Sequence, residues 1–221
     1  MNLMTLLLLM SGPGGSGGGG GGGSFATWDA ATKVAVTLSG GDLVATNTGG
    51  GANNQGAKVA TASGKSSGKY YFELVWTNLV NAAGFSQEEA VGITMVSLVD
   101  YSNSTGTFKA AYKGSVSLNG GNAGINVGQQ NSGDFICFAL DQDNHKVWIR
   151  VGAAGLWNNS GSDNPATNNG GIGISSLTGA LVPFTTFGGS GGSSGNIRTA
   201  KFGASAFTGA VPSGFTSGWP V

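Results

Sequence analysis

The chain has 221 residues, of which 43 are glycine and 9% are charged, and its 10 Lys plus Arg are balanced by 10 Asp plus Glu. Ordinary soluble domains are roughly one-quarter charged with roughly 7% glycine, so this chain is poor in helix formers. Balanced charge excludes a basic field for nucleic acid or an anionic membrane surface, and the length suits one all-β domain with short additions rather than two cores.

Residues 1–10 are apolar, but a bilayer-spanning helix needs roughly twenty such residues, so no membrane span is expected. No Lys or Arg precedes Lys33, which leaves a secretory signal only as an atypical alternative. Residues 11–24 are glycine and serine around one proline, including seven consecutive glycines at 17–23, a composition that buries no apolar surface and reads as a flexible linker. The expectation is a docking peptide at 1–10, in which Leu3, Leu6, Leu7, Leu8 and Leu9 seat the protein in a larger assembly as one of several symmetric copies. The linker at 11–24 then carries a folded domain at 25–221.

From residue 25 onward the pattern is strand-like. Residues 34–38 and 43–46 are short strands around the hairpin signal Ser39-Gly40-Gly41-Asp42, and residues 47–55 form a polar loop. Residues 69–76 alternate so that Tyr70, Phe72, Leu74 and Trp76 share one buried face. Residues 90–95 form another strand. Glu88 and Glu89 precede it, but neighbours on a strand point to opposite faces and do not make an acid/base pair by themselves. Residues 102–133 read as turn-rich, with Phe108, Tyr112, Val116 and Leu118 scattered among Gly, Asn and Ser.

The run 133–150 is the most informative. Residues 135–140 are apolar on both faces, Asp141-Gln142-Asp143-Asn144 supplies turn chemistry, and 146–150 returns as the second strand of a hairpin at the centre of a sandwich. Cys137 is the only cysteine and reads as a small core hydrophobe, with no partner for a disulfide. His145, the only histidine, sits in the hairpin corner with no second histidine or cysteine nearby, so no zinc or Cys/His site is expected. The corner lacks the glycine and distal glutamate of a calcium loop, and no Gly-x-Ser-x-Gly elbow or phosphate loop is present. The chain is therefore read as non-enzymatic, without metal or cofactor.

Recognition is expected in loops that carry aromatics and amides, because such rings bury large area at low entropic cost and amides present fixed donors and acceptors. The candidate contacts are Tyr101, Tyr112, Trp157, Asn158, Asn159 and Asn168, the last four in the amide-rich loop 157–173, which would suit a glycan or a protein surface.

Residues 181–188 and 197–202 form two final strands around a glycine-serine turn. Taken in order, Gly68-Lys69-Tyr70-Tyr71-Phe72-Glu73, Val91-Gly92-Ile93, the 133–141 run, Lys146-Val147-Trp148, Leu181-Val182-Pro183-Phe184 and Lys201-Phe202-Gly203 resemble the SPRY (B30.2-like) domain over residues 58–215. Lys201 stands where the last motif usually has Asn, and Cys137 replaces a usual small Gly. The resemblance implies a bent antiparallel β-sandwich that recognises partners through loops and has no catalytic activity. Trp28-Asp29 at the start and Pro212-Ser213-Gly214-Phe215 at the close look like SPRY-type modules of bacteriophage and prophage tail-region proteins, often behind a glycine-rich leader. That analogy implies a virion protein in a tail fibre, baseplate or capsid decoration, contacting other virion proteins through its N-terminus and a host-surface glycan or protein through its loops. The alternative is a secreted or surface-attached bacterial adhesion module.

Overall fold

The computed structural model describes residues 24–49, 54–80, 89–188, 194–203 and 207–221; the leader and its docking leucines lie outside them. The described residues form two antiparallel sheets facing each other, the sandwich expected from sequence. No helix among them is long and apolar enough to cross a membrane.

The strands in chain order are β1 (Val36–Ser39), β2 (Val44–Asn47), β3 (Gly56–Lys58), β4 (Lys69–Asn78), β5 (Ala90–Met95), β6 (Thr107–Ala111) and β7 (Ser115–Leu118). They continue with β8 (Gly121–Asn126), β9 (Phe135–Asp141), β10 (Lys146–Val151), β11 (Ile172–Gly173), β12 (Leu181–Thr186), β13 (Ile197–Lys201) and β14 (Thr216–Ser217). The first sheet runs β1-β2-β13-β4-β9-β10-β11, and the second runs β3-β12-β5-β6-β7-β8. In the first, β13 stops opposite Glu73, which leaves the start of β4 unpaired on that side; β14 fills the gap in parallel, Thr216 opposite Tyr70.

The hairpin read at 133–150 is β9–β10, with Lys146 opposite Asp141 and Val151 opposite Ile136. Its corner is built by side chains: Asp141 accepts from the Asn144 N–H at 3.0 Å and amide at 2.8 Å, and pairs with Lys69 at 2.8 Å. Asp143 accepts from the Gly68 N–H at 2.7 Å. The turn carboxylates thus tie β9 to the entry of β4, and His145 is exposed in the left-handed conformation, φ 50°.

The stretch 102–133, read as turn-rich, contains three strands, β6, β7 and β8. Ala, Gly and Asn carry little intrinsic strand preference, and pairing with β5 supplies the order instead, Ile93 opposite Phe108. The β7–β8 hairpin turns on Asn119-Gly120, φ 51° and 79°, the two positive angles that a type I′ turn requires.

Between the sheets, Phe72 stacks on Phe138 at 4.9 Å, Trp219 meets Phe72 edge-on at 5.5 Å, and Trp28 meets Phe202 edge-on at 5.1 Å. Each such pair contributes about 0.5–1.5 kcal/mol beyond simple burial. The two outer tryptophans are also anchored: Trp28 Nε1 donates to the Leu43 carbonyl at 3.1 Å and Trp219 Nε1 to the Ser63 carbonyl at 3.0 Å. Phe72, Leu74 and Trp76 point inward as the alternation of β4 predicts, yet Tyr71 and Glu73 on the opposite face are buried too. A strap at 207–215 covers them.

Candidate functional site

Three regions compete for the role of contact surface: the two tyrosines, the amide-rich loop, and the outer face of the second sheet.

Tyr101 and Tyr112 are both buried, so they pack rather than present a face to a partner. The Tyr101 hydroxyl donates to the Thr32 carbonyl at 3.0 Å, and its ring lies where a side chain at Gly56 would stand, 2.7 Å from that Cβ position. Burial, with Asp29 adding to it, pushes the Tyr101 hydroxyl up to about 12. Tyr112 lies edge-on to Trp76 at 6.4 Å and accepts from the Gln129 amide at 3.0 Å. A period-2 pattern marks only the faces of strands, and these rings sit beyond strand ends, where their burial depends on distant loops.

In the amide-rich loop, the amides mostly bind the loop itself. Asn158 is buried: its oxygen accepts from the Ile149 N–H at 3.0 Å, satisfying the outer edge of β10, and its amide donates to Asp163 at 2.8 Å. Asn168 takes the left-handed conformation at the end of a 3-10 turn, Pro165–Thr167, and its carbonyl accepts from Lys146 at 3.2 Å. Asn159 is exposed and donates to the Asn126 carbonyl at 3.3 Å. Trp157 is half-buried beneath the Arg150 guanidinium, 4.4 Å from its centroid. Beside it, Leu156 is 57% exposed at the rim of a small hollow of about 130 Å³ shared with Val127, Val151 and Asn159. Trp157 and Asn159 therefore share one corner of the surface, while Asn158 and Asn168 shape it from within.

The outer face of the second sheet carries the larger surface. Residues 96–106 leave β5, cross that face and return to β6, pinned by Lys58 from β3, which donates to the Val96 and Leu98 carbonyls at 2.6 Å each. Burial lowers the Lys58 pKa, with the Asp29 charge opposing. Leu98, Tyr101 and Phe184 pack beneath as a small cluster. Val99 stands out of this loop at 84% exposure, with a cleft of about 310 Å³ on one side and one of about 240 Å³ on the other; Leu98 and Val99 wall both. Sequence reasoning missed this ridge, because Leu98-Val99 lies between the strand read at 90–95 and the turn-rich stretch from 102 and was given no role. Leu98 and Val99 link two turns, Met95–Leu98 and Asp100–Asn103, and only Leu98 points inward.

The titratable groups of the interior are engaged structurally. Glu73 accepts from the Gly209 N–H at 2.7 Å, the Thr208 N–H at 3.0 Å, the Tyr71 hydroxyl at 2.8 Å and Lys201 at 3.1 Å. Glu89 pairs with Arg198, whose guanidinium lies 3.9 Å from the Trp76 centroid and joins the two sheets. Burial pushes the Glu89 pKa up and the Arg198 pKa down, each opposed by the partner's charge. Cys137 is buried, which pushes its thiol up, against the pull of Tyr71 and Arg150. Among the described residues no group of three or more His, Cys, Asp or Glu side chains is placed to hold a metal ion.

The chain superposes on the SPRY domain of human HERC1 with a TM-score of 0.57 and 17% identity, over 79% of this chain and 96% of that one. The fold is SPRY-like. The TRIM65 PSpry domain also matches, with a TM-score of 0.49 and 12% identity over 80% of this chain and 92% of the other. No protein-family model matches the sequence, and no curated protein does.

Proposed function

We propose that this protein is a SPRY-type interaction module that acts by binding a protein partner rather than by catalysis. The observation that carries this is the Val99 ridge between two clefts on a SPRY-like sandwich. The engagement of Glu73, Glu89 and Asp141 in structural bonds supports a binding role, since each carboxylate already has its protein donors. A photocrosslinking amino acid in place of Val99 tests it in the source cells or particles. A discrete adduct that is lost when the label is moved to Thr37 of β1 is expected; equal, diffuse labelling at both positions overturns the reading.

The finer proposal places the module on a bacteriophage particle, in several copies, with residues 1–10 as its dock and 11–24 as its tether. The leucine-rich peptide, the glycine leader and the Trp28-Asp29 and Pro212-Ser213-Gly214-Phe215 resemblances support it. Mass spectrometry of purified particles tests it: the intact chain at a fixed copy number relative to the major capsid protein is the expected result. Absence from particles, with the chain in the medium or on the cell surface, rejects it in favour of an adhesion module.

A further inference from the structure

The two clefts beside Val99 differ in charge. The larger is lined by Ala31, Thr32, Lys33, Val34 and Lys58; both charged groups are cations, Lys33 exposed and Lys58 buried with its ammonium on the loop carbonyls. Lys33 is exposed and uses one N–H on the Val36 carbonyl at 2.8 Å, leaving two of its three donors. Thr32 also lines this cleft, but its hydroxyl oxygen is shielded from solvent and lies behind the exposed wall. The smaller cleft is lined by Met95, Ser97, Asp100, Asn103 and Thr105, so its charged group is an anion. Asp100 receives the Ser102 N–H at 2.9 Å and hydroxyl at 2.6 Å, both on Oδ1.

The surface thus reads cation, apolar ridge, anion, within a chain of zero net charge that steers no partner from a distance. A polyanion would meet Asp100, and a polycation would meet Lys33. A ligand that satisfies every part must alternate in the opposite sense over the span of one loop, which an extended peptide does and a flat protein face does less well.

Resting on the interaction-module reading, we propose that this surface binds an extended peptide segment of a partner in which an apolar residue is flanked by a carboxylate and a cation. The carboxylate enters the larger cleft and meets the two free donors of Lys33, the apolar side chain packs on Val99 and Leu98, and the cation meets Asp100. Neither Lys33 nor Val99 belongs to the packed interior, so substitutions there leave the melting temperature unchanged.

The test uses the full chain and fluorescein-labelled peptides of the form Gly-Ser-Glu-Leu-Lys-Ser-Gly, with Lys-Leu-Lys and Ser-Leu-Ser counterparts, read by fluorescence anisotropy. Saturable binding of the Glu-Leu-Lys peptide at least about tenfold tighter than Lys-Leu-Lys is expected, weakening with salt because the pairs are exposed. Lys33→Glu should reverse the preference toward Lys-Leu-Lys, and Val99→Asp should abolish binding of all three. Absence of saturable binding, or a preference untouched by Lys33→Glu, overturns the proposal. A discrete crosslink at position 99 alongside failed peptide binding rejects this ligand chemistry alone; loss of both rejects the interaction module as well.

Discussion

The two outer faces of the sandwich are covered by different means, and the difference decides where a surface remains open. Over the first sheet, residues 207–215 are held by a buried carboxylate: Glu73 receives two consecutive backbone N–H groups, Thr208 and Gly209, together with Tyr71 and Lys201. Phe207 meets Tyr71 edge-on at 4.9 Å and Phe215 meets Trp148 at 6.4 Å, closing an aromatic layer over Cys137 and Ala139. Gly209 is required there, since a Cβ would lie 2.5 Å from the Tyr71 hydroxyl and 3.0 Å from the Cys137 sulfur. Over the second sheet, the cover is a loop held at two carbonyls by Lys58, and it closes over Tyr101 and Phe184 but leaves clefts on either side of Val99. The strap closes its face with aromatic rings at both ends, whereas the loop, held at Val96, Leu98 and Tyr101, leaves Val99 standing between two clefts.

The largest effect is expected from the interaction that both sheets share. Arg198→Ala strands the buried Glu89 carboxylate and empties the space against Trp76 and Phe187, and should cost about 3–5 kcal/mol in urea unfolding. The double replacement Glu89→Leu with Arg198→Met should recover most of that loss; equal instability of the two variants would show that shape rather than charge pairing holds the sheets.

Glu73→Gln keeps the shape but turns one acceptor into a donor facing backbone N–H groups, and should cost about 2–3 kcal/mol. Labelling of Cys137 by a thiol reagent should accelerate at least about tenfold as the strap loosens. A stability loss without faster labelling would mean that the strap stays seated without its latch.

Lys58→Met removes two charge-assisted bonds to the loop and should cost about 1–2 kcal/mol. Amide exchange should quicken in residues 96–104 and stay unchanged in the strap, which separates the two covers directly.

Part of the acid response should arise at the first sheet's hairpin corner. Burial works to raise the Asp141 pKa, but the Lys69 and Asn144 bonds and the Lys69 charge outweigh it and hold the carboxyl below its ordinary value. A lowered folded-state pKa adds stability that is present above the ordinary carboxylate pKa and is lost as pH falls through the folded value. Asp141→Asn should therefore lower stability at neutral pH and flatten this part of the acid limb, measured as unfolding midpoints from pH 7 to pH 3. The smallest effect is at the ridge: Val99→Ser should change stability by less than about 0.5 kcal/mol, because the side chain already lies in solvent.

Local pattern alone determined much of this protein. Alternation along 69–76 places Phe72, Leu74 and Trp76 in the core, and the doubly apolar run 135–140 with its acidic corner specifies the β9–β10 hairpin and the burial of Cys137. Those features follow from neighbours within a few residues, where side-chain direction and turn chemistry act. The same alternation assigned Tyr71 and Glu73 no partner, because their cover arrives from Thr208 and Gly209, 135 and 136 residues along the chain. Glu89 meets Arg198 across 109 residues, and Tyr101 is buried by Thr32 and Gly56, against which only the folded chain brings it. Val99 is apolar by sequence and exposed by position, since Leu98 takes the inward place on Tyr101 and Phe184 and Val99 links two turns on the outside. Which faces carry apolar residues is written in the order of the residues. Which of those faces is sealed depends on segments that meet only after loops of this length have closed, and no short-range pattern encodes that meeting.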